Sequence, residues 1–356
     1  MRLPGFGAAA QQRLAGARVL VVGAGGLGSP VLLYLAAAGI ATADGGLLGI
    51  VDDDAVDLTN LHRQVVHGTT DLGRAKVDSA AERIAELDPG VRVRRHRSRV
   101  TADTATDLVA AYDLVVDGSD NFATRYLVSD ACEVAEIPCV WGSVLRFAGQ
   151  VSVFWAGRGP TYRDLHPMPP PPGSVPSCAD AGVVGSVCGT IGSLMATEAV
   201  KVLTGVGRPL LGRVLLHDAL AMTWRTVEVA VDPGRAPVTA VTGEPDEGVG
   251  AFSIEPAELA GRLAERAAGG PDFVLIDVRE PAERAVAAIP GSVRVPRELL
   301  LAGHADSELP AGMPVVLHCK TGGRSAQVLA VLRAGGRDDV VHLRGGITAW
   351  LAHARG

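Results

Sequence analysis

Cys319 ends an apolar run and opens the loop Cys319–Lys320–Thr321–Gly322–Gly323–Arg324, after which Ser325 begins a helix-like pattern. Successive backbone N–H groups in such a loop form an anion-binding nest, and a helix N-terminus adds positive potential. Lys320 and Arg324 add full charges. A thiol held there is favoured as thiolate and acts as a nucleophile. Four residues separate Cys319 from Arg324, a ring suited to carrying one sulfane sulfur on the thiol.

A second set of chemistry-bearing residues lies near the N-terminus. The β-branched run RVLVV leads into GAGGLGSP, where Gly23, Gly25 and Gly28 give G-x-G-x-x-G, Ser29 can cap a helix and Pro30 suits its first turn. A strand, glycine turn and helix in this order bring backbone N–H groups and a positive helix end to a phosphate. Asp52, closing the next strand, can accept from a ribose hydroxyl. On these residues alone an NAD-dependent oxidoreductase remains open. Asn60, Arg63, Gln64 and Lys76 follow, and DGSDN sets Asp117, Asp120 and Asn121 at another strand end. Cations there suit a triphosphate and a carboxylate suits Mg²⁺, whereas hydride transfer needs neither. Lys76 stands out further, because lysine supplies only three of the 33 basic residues.

These residues need an α/β scaffold. Strand-like runs alternate with helical ones up to YDLVVDGSDN, which predicts a mostly parallel sheet covered on both faces. RFAGQVSVFWAG then reads as a hairpin with its glycine in the middle, HPMPPPPGSVPSCADAG as neither helix nor central strand, and the stretch to about Gly205 as a packed helix. IATADGGLLG reads as a long turn before the second strand. At 356 residues the chain suits two domains, placed at 1–231 and 251–356 around a linker at 232–250, with the βα pattern restarting in the second. A 47% hydrophobic and 20% charged composition is globular. The apolar run VLLYLAAAGIA is shorter than the roughly 20 residues of a spanning helix, and no signal peptide is apparent. A net charge of −6 argues against nucleic acid. Five cysteines without C-x-x-C spacing suit a reducing cytoplasm.

VLVVGAGGLGSP, VDDDAVDLTNLHRQVVH, KVDSA, YDLVVDGSDNFATRYL, WGSVLRFAGQVSVF and PSCADAGVVG resemble the adenylating enzymes of molybdopterin and thiamine biosynthesis, relatives of the ubiquitin-activating enzymes. The resemblance implies a Rossmann-like ATP-binding domain and a homodimer. It implies that Gly23, Gly25, Gly26 and Gly28 cradle ATP, Asp52 holds the ribose, Asn60, Arg63 and Lys76 bind phosphates, and Asp120, beside Asn121, serves Mg²⁺. The implied substrate is a ubiquitin-like sulfur carrier protein whose C-terminal Gly-Gly carboxylate becomes an acyl-adenylate. Cys178 is implied to take the acyl group or resolve a persulfide, while Cys132, Cys139 and Cys188 read as packing. Two departures stand out. Relatives carry an arginine-bearing segment ahead of LPGFG that reaches the other subunit's ATP site, where this sequence offers only Arg2. Many also hold zinc on two C-x-x-C pairs; Thr161 and Asp164 replace the first, so no zinc is expected.

The second half resembles a rhodanese, a smaller α/β domain. LIDVREPAE, AAIPGSVRVP, the Cys319 loop and LRGGITAW carry the likeness, with Ala288 where relatives commonly have histidine. Together the two resemblances imply an adenylyltransferase joined to a sulfurtransferase, fed by thiosulfate or a persulfide-bearing protein. A tether of about 19 residues raises the effective concentration of one site at the other. A non-catalytic scaffold that binds the carrier is the remaining alternative.

Overall fold

The structure is a computed structural model and describes residues 4–170, 182–242, 252–310 and 312–354. It divides into two compact units.

The first unit is built on one eight-stranded sheet: β1 Arg18–Val22, β2 Leu47–Val51, β3 Val93–His96, β4 Leu114–Asp117, β5 Cys139–Leu145, β6 Ala148–Phe154, β7 Arg213–Asp218 and β8 Thr223–Glu228. The order is β3-β2-β1-β4-β5-β6-β7-β8. β1 to β5 are parallel to their neighbours, and β5 to β8 continue antiparallel. The alternation of side chains along β1 explains the two-faced core. Val19 and Val21 join Leu35, Ile50 and Ile191 in one cluster, under the helices Gly28–Ala37 and Gly185–Thr204. Leu20 and Val22 join Val115, Val128 and Cys139 in the other, under the helix Phe122–Val134. The helix Gly185–Thr204 is long and apolar enough to cross a membrane by composition, yet Val187, Ile191 and Met195 are buried against the sheet.

The expected hairpin is present with a shifted turn. It bends at Arg146, whose φ is +54°, while Gly149 lies inside β6. A Cβ on Gly149 would stand 2.3 Å from Ile191 Cγ1, so this glycine admits the long helix rather than making the bend.

The expected boundary at 231 also shifts, since the first unit continues through the described residues up to 242. Arg235 holds this strap. Its guanidinium donates to Asp164 Oδ1 at 3.1 Å, Glu133 Oε1 at 3.1 Å and Thr161 Oγ1 at 3.0 Å. The backbone N–H groups of Asp232 and Val238 donate to Asp164 and Glu133. A Pro- and Gly-rich composition predicts a linker because it forms no ladder, and side-chain anchoring of this kind leaves no such pattern.

The second unit is an all-parallel sheet of β9 Ser253–Ile254, β10 Val274–Asp277, β11 Val293–Arg294, β12 Val315–His318 and β13 Val340–Leu343, in the order β11-β10-β12-β13-β9. β12 is central and buried at every position. It therefore delivers Cys319 to the carboxyl edge of the sheet, directly before the helix Gly323–Ala334.

Candidate active sites

In the first unit the glycine turn lies between β1 and the helix Gly28–Ala37. Gly23 has φ of +88°, and a Cβ there would meet Gly118 O at 3.3 Å. The turn thus abuts the β4 loop that bears Asp120. A Cβ on Gly28 would stand 1.8 Å from Gly23 O, so only glycine lets the helix begin this close to the turn. Beside Gly25 the nearest atom to such a Cβ is Gln64 Nε2 at 3.6 Å, and beside Gly26 they are Cys188 Sγ at 3.0 Å and Arg63 Cδ at 3.5 Å. Arg63, Gln64 and the glycines are therefore one cluster. Cys188 is packed beneath it at 1% exposure.

Asp52 Oδ2 accepts from Ala24 N at 2.8 Å and its Oδ1 from Asp54 N at 2.8 Å. Burial raises its pKa above the ordinary carboxylate value, against the opposing pull of Lys76 and these two N–H donors. Lys76, itself buried, begins the helix Lys76–Leu87 and donates from Nζ to Asp54 Oδ2 at 2.7 Å. Asn60 Oδ1 accepts from Arg63 Nη2 at 2.9 Å. Asn121 caps the helix Phe122–Val134 by accepting from Thr124 N at 2.9 Å. Asp120 is exposed, and among the described residues no hydrogen bond or ion pair engages its side chain. Cys178 lies outside the described residues.

Two groups in this site escaped the sequence reading. Asp54 is the partner of Lys76. His67, buried, bridges Ala24 O at 2.9 Å from Nε2 and Ser79 Oγ at 2.8 Å from Nδ1. Burial lowers its pKa, which favours the neutral ring with the proton on Nε2, donated to the Ala24 carbonyl. Ala24 is thereby held at N–H by Asp52 and at C=O by His67. Only the second histidine of LHRQVVH signalled this, and one histidine after two valines carries no spacing to read.

In the second unit Cys319 is 1% exposed, and its Sγ accepts from Gly322 N at 3.1 Å. Gly322 has φ of +99°, which turns that N–H inward. The LRGG motif supports the loop from outside: Ile347 N donates to Cys319 O at 2.8 Å and Thr348 N to Lys320 O at 3.1 Å. A Cβ on Gly346 would stand 2.5 Å from Cys319 O, which accounts for the glycine. Arg324 makes a two-pronged bond to Glu283 at 2.6 and 2.7 Å, and that bond lowers the Glu283 pKa. Glu283 had no signal of its own in the sequence beyond its place in VREPAE.

The ThiF family matches residues 1–236 and the rhodanese-like domain matches residues 256–353. The chain belongs to the ThiF family. This ThiF-family chain is 48% identical over 362 residues to a probable adenylyltransferase/sulfurtransferase MoeZ of Mycobacterium tuberculosis, covering 98% of the chain and 90% of the relative. It is 50% identical over 243 residues to a sulfur carrier protein adenylyltransferase of Thermus thermophilus, with 67% of this chain and 88% of that one covered. It is 36% identical to the adenylyltransferase and sulfurtransferase MOCS3 of Bos taurus over 99% of the chain and 84% of the relative. Among solved structures, E. coli MccB with ATP aligns at a TM-score of 0.56 and 20% identity, over 65% of this chain and 69% of that one, a likeness of fold. The chain is an adenylyltransferase and sulfurtransferase, with a Rossmann-type first domain and a smaller rhodanese domain after it. Adenylyl transfer implies that it uses ATP.

Proposed function

We propose that the first unit adenylates the C-terminal Gly-Gly carboxylate of a ubiquitin-like sulfur carrier protein, and that Cys319 of the second unit supplies the sulfur that replaces AMP. The observation that carries this reading is the presence, in one chain, of a ThiF-family glycine turn and a buried Cys319 whose sulfur receives a loop N–H.

A carboxylate resists attack by sulfur until its oxygen becomes a good leaving group. The carrier carboxylate attacks the α-phosphorus of ATP, and pyrophosphate departs with the electron pair. The glycine turn supplies N–H groups to the phosphates, and Asp52 the ribose acceptor. Lys76, Arg63 and Asn60 hold charge that grows on pyrophosphate. Lys76 must exchange Asp54 for phosphate to do so. Asp120, exposed and with no side-chain hydrogen bond or ion pair among the described residues, fits a Mg²⁺ ligand, and Asn121 lies beside it; the ion would neutralise triphosphate charge. The Cys319 persulfide then attacks the acyl carbon, AMP leaves, and an acyl disulfide forms. A second thiol, assigned to Cys178, attacks the Cys319 sulfur of that disulfide. The products are the carrier thiocarboxylate and a Cys178–Cys319 disulfide, which a cellular thiol reduces.

Thiosulfate or a persulfide-bearing protein is the proposed donor, and molybdenum cofactor assembly or a related sulfur-transfer pathway the proposed setting. Location in the cytoplasm and a homodimer complete the reading. For the dimer, the exposed Tyr34 and Val65 beside Pro30, Leu33 and Gly189 offer an apolar face next to the glycine turn.

Two variants test the division of labour. Cys319→Ala keeps carrier-dependent ATP–pyrophosphate exchange and loses thiocarboxylate formation. Asp120→Ala loses exchange and keeps thiosulfate:cyanide transfer. Sulfur reaching the carrier in Cys319→Ala, or exchange surviving in Asp120→Ala, refutes the assignment concerned.

A further inference from the structure

The Cys319 sulfur has a second neighbour that leads away from the loop. Ser325 Oγ lies 3.6 Å from Cys319 Sγ, 2.9 Å from Gly322 O and 3.4 Å from His342 Nδ1. Cys319, Ser325 and His342 are 1%, 0% and 6% exposed, so water competes little for these bonds. They come from three elements: the end of β12, the first turn of the helix Gly323–Ala334, and β13, which pairs with β12 through Leu317 and His342.

A hydroxyl has one hydrogen to give and lone pairs to receive. The Ser325 hydrogen goes either to Gly322 O or to Cys319 Sγ. The ring of His342 decides how free it is to do so. With hydrogen on Nδ1, the ring donates to Ser325 Oγ, fills a lone pair and leaves the hydroxyl hydrogen to the other two acceptors. With Nδ1 bare, the ring competes for that hydrogen.

We propose that His342 is a positioning residue that donates to Ser325, and that Ser325 is a catalytic residue whose hydroxyl stabilises the Cys319 thiolate as it leaves the persulfide during sulfur transfer to an acceptor that attacks the outer sulfur, such as cyanide. This inference rests on the sulfane-sulfur reading of Cys319. In loading, the thiolate attacks the outer sulfur of thiosulfate, the sulfur–sulfur bond of the donor breaks, and sulfite leaves with the electron pair. The charge then sits on the terminal sulfur. In discharge to cyanide, carbon attacks that terminal sulfur, its bond to Cys319 Sγ breaks, thiocyanate leaves, and the pair returns to Sγ. Charge develops beside Ser325 only in this second step. A hydrogen bond to a charged group is worth enough to slow discharge on the order of tenfold to a hundredfold when removed.

The test follows thiocyanate release from the full chain, preloaded with one sulfur from thiosulfate, in a single turnover. Asparagine can place an amide N–H where Nδ1 stands, whereas glutamine places its amide near the position of Nε2. Ser325→Ala and His342→Gln are therefore expected to load one sulfur per chain and to discharge about tenfold or more slowly. His342→Asn is expected to stay within about threefold of the unaltered chain. The double variant is expected to be no slower than Ser325→Ala alone, because both act through one hydrogen bond. The inference is overturned if His342→Gln discharges at the unaltered rate, if His342→Asn is as slow as His342→Gln, or if the two effects multiply. An unaltered chain that takes up no sulfur overturns the sulfane-sulfur reading itself, and this inference with it.

Discussion

His318 offers a sharp test of how the second unit is held. It is the last residue of β12, wholly buried, and neither ring nitrogen has a hydrogen-bond partner among the described residues. Burial lowers its pKa from 6.5 to about 4; the Asp277 carboxylate, 3.9 Å away, pulls the other way, and Arg279 and Arg284 oppose protonation again. The ring is thus neutral when folded and takes a proton more readily when unfolded. Stability from this source is present above pH 6.5 and is lost as the pH falls toward 4. Between pH 7 and 5 the linkage amounts to about 2 kcal/mol. Asp277, whose own burial is outweighed by Arg279 so that its pKa is lowered, contributes little in this window because its unfolded value is 3.8. Hydrogen exchange of the β12 amides in the full chain measures the loss, with His318→Leu as the non-titrating reference. The unaltered chain is expected to lose about 2 kcal/mol more protection than the variant on going from pH 7 to 5. Equal losses in the two chains would refute the argument.

Two substitutions in the glycine turn should separate packing from phosphate approach. Gly28→Ala drives a Cβ into Gly23 O and is expected to cost about 1–3 kcal/mol in denaturant unfolding as well as ATP affinity. Gly25→Ala would meet only Gln64 Nε2, at 3.6 Å, and is expected to lower ATP affinity in calorimetry with little change in stability. Arg235→Leu leaves the buried carboxylates of Asp164 and Glu133 without their cation. It is expected to cost about 3–5 kcal/mol and to release exchange protection across residues 232–238.

The parallel core was legible because its signals are local and redundant. RVLVV between glycine-bounded segments is a buried strand whatever surrounds it, and Gly28 announces a close approach that the structure places at Gly23 O. The Cys319 loop was legible for the same reason: thiol, glycines and arginine are contiguous. What the sequence did not disclose depends on partners far apart in the chain. Arg235 sits in a stretch of linker composition, and its acids lie 71 and 102 residues away. His67 reaches Ala24 across 43 residues, and Arg324 reaches Glu283 across 41. Gly149 marked a bend in the sequence and proved to be a contact with a helix some 40 residues on, since a missing side chain serves either purpose.

The central claim is that ATP makes a carrier protein's tail electrophilic and Cys319 then delivers sulfur to it. Intact-mass measurement of a Gly-Gly-ended carrier, after incubation with the full chain, MgATP and thiosulfate, tests it most directly. An AMP-linked carrier is expected when thiosulfate is withheld, and exchange of one carboxyl oxygen for sulfur when it is supplied. A carrier that never acquires AMP, or that gains sulfur without ATP, would contradict it.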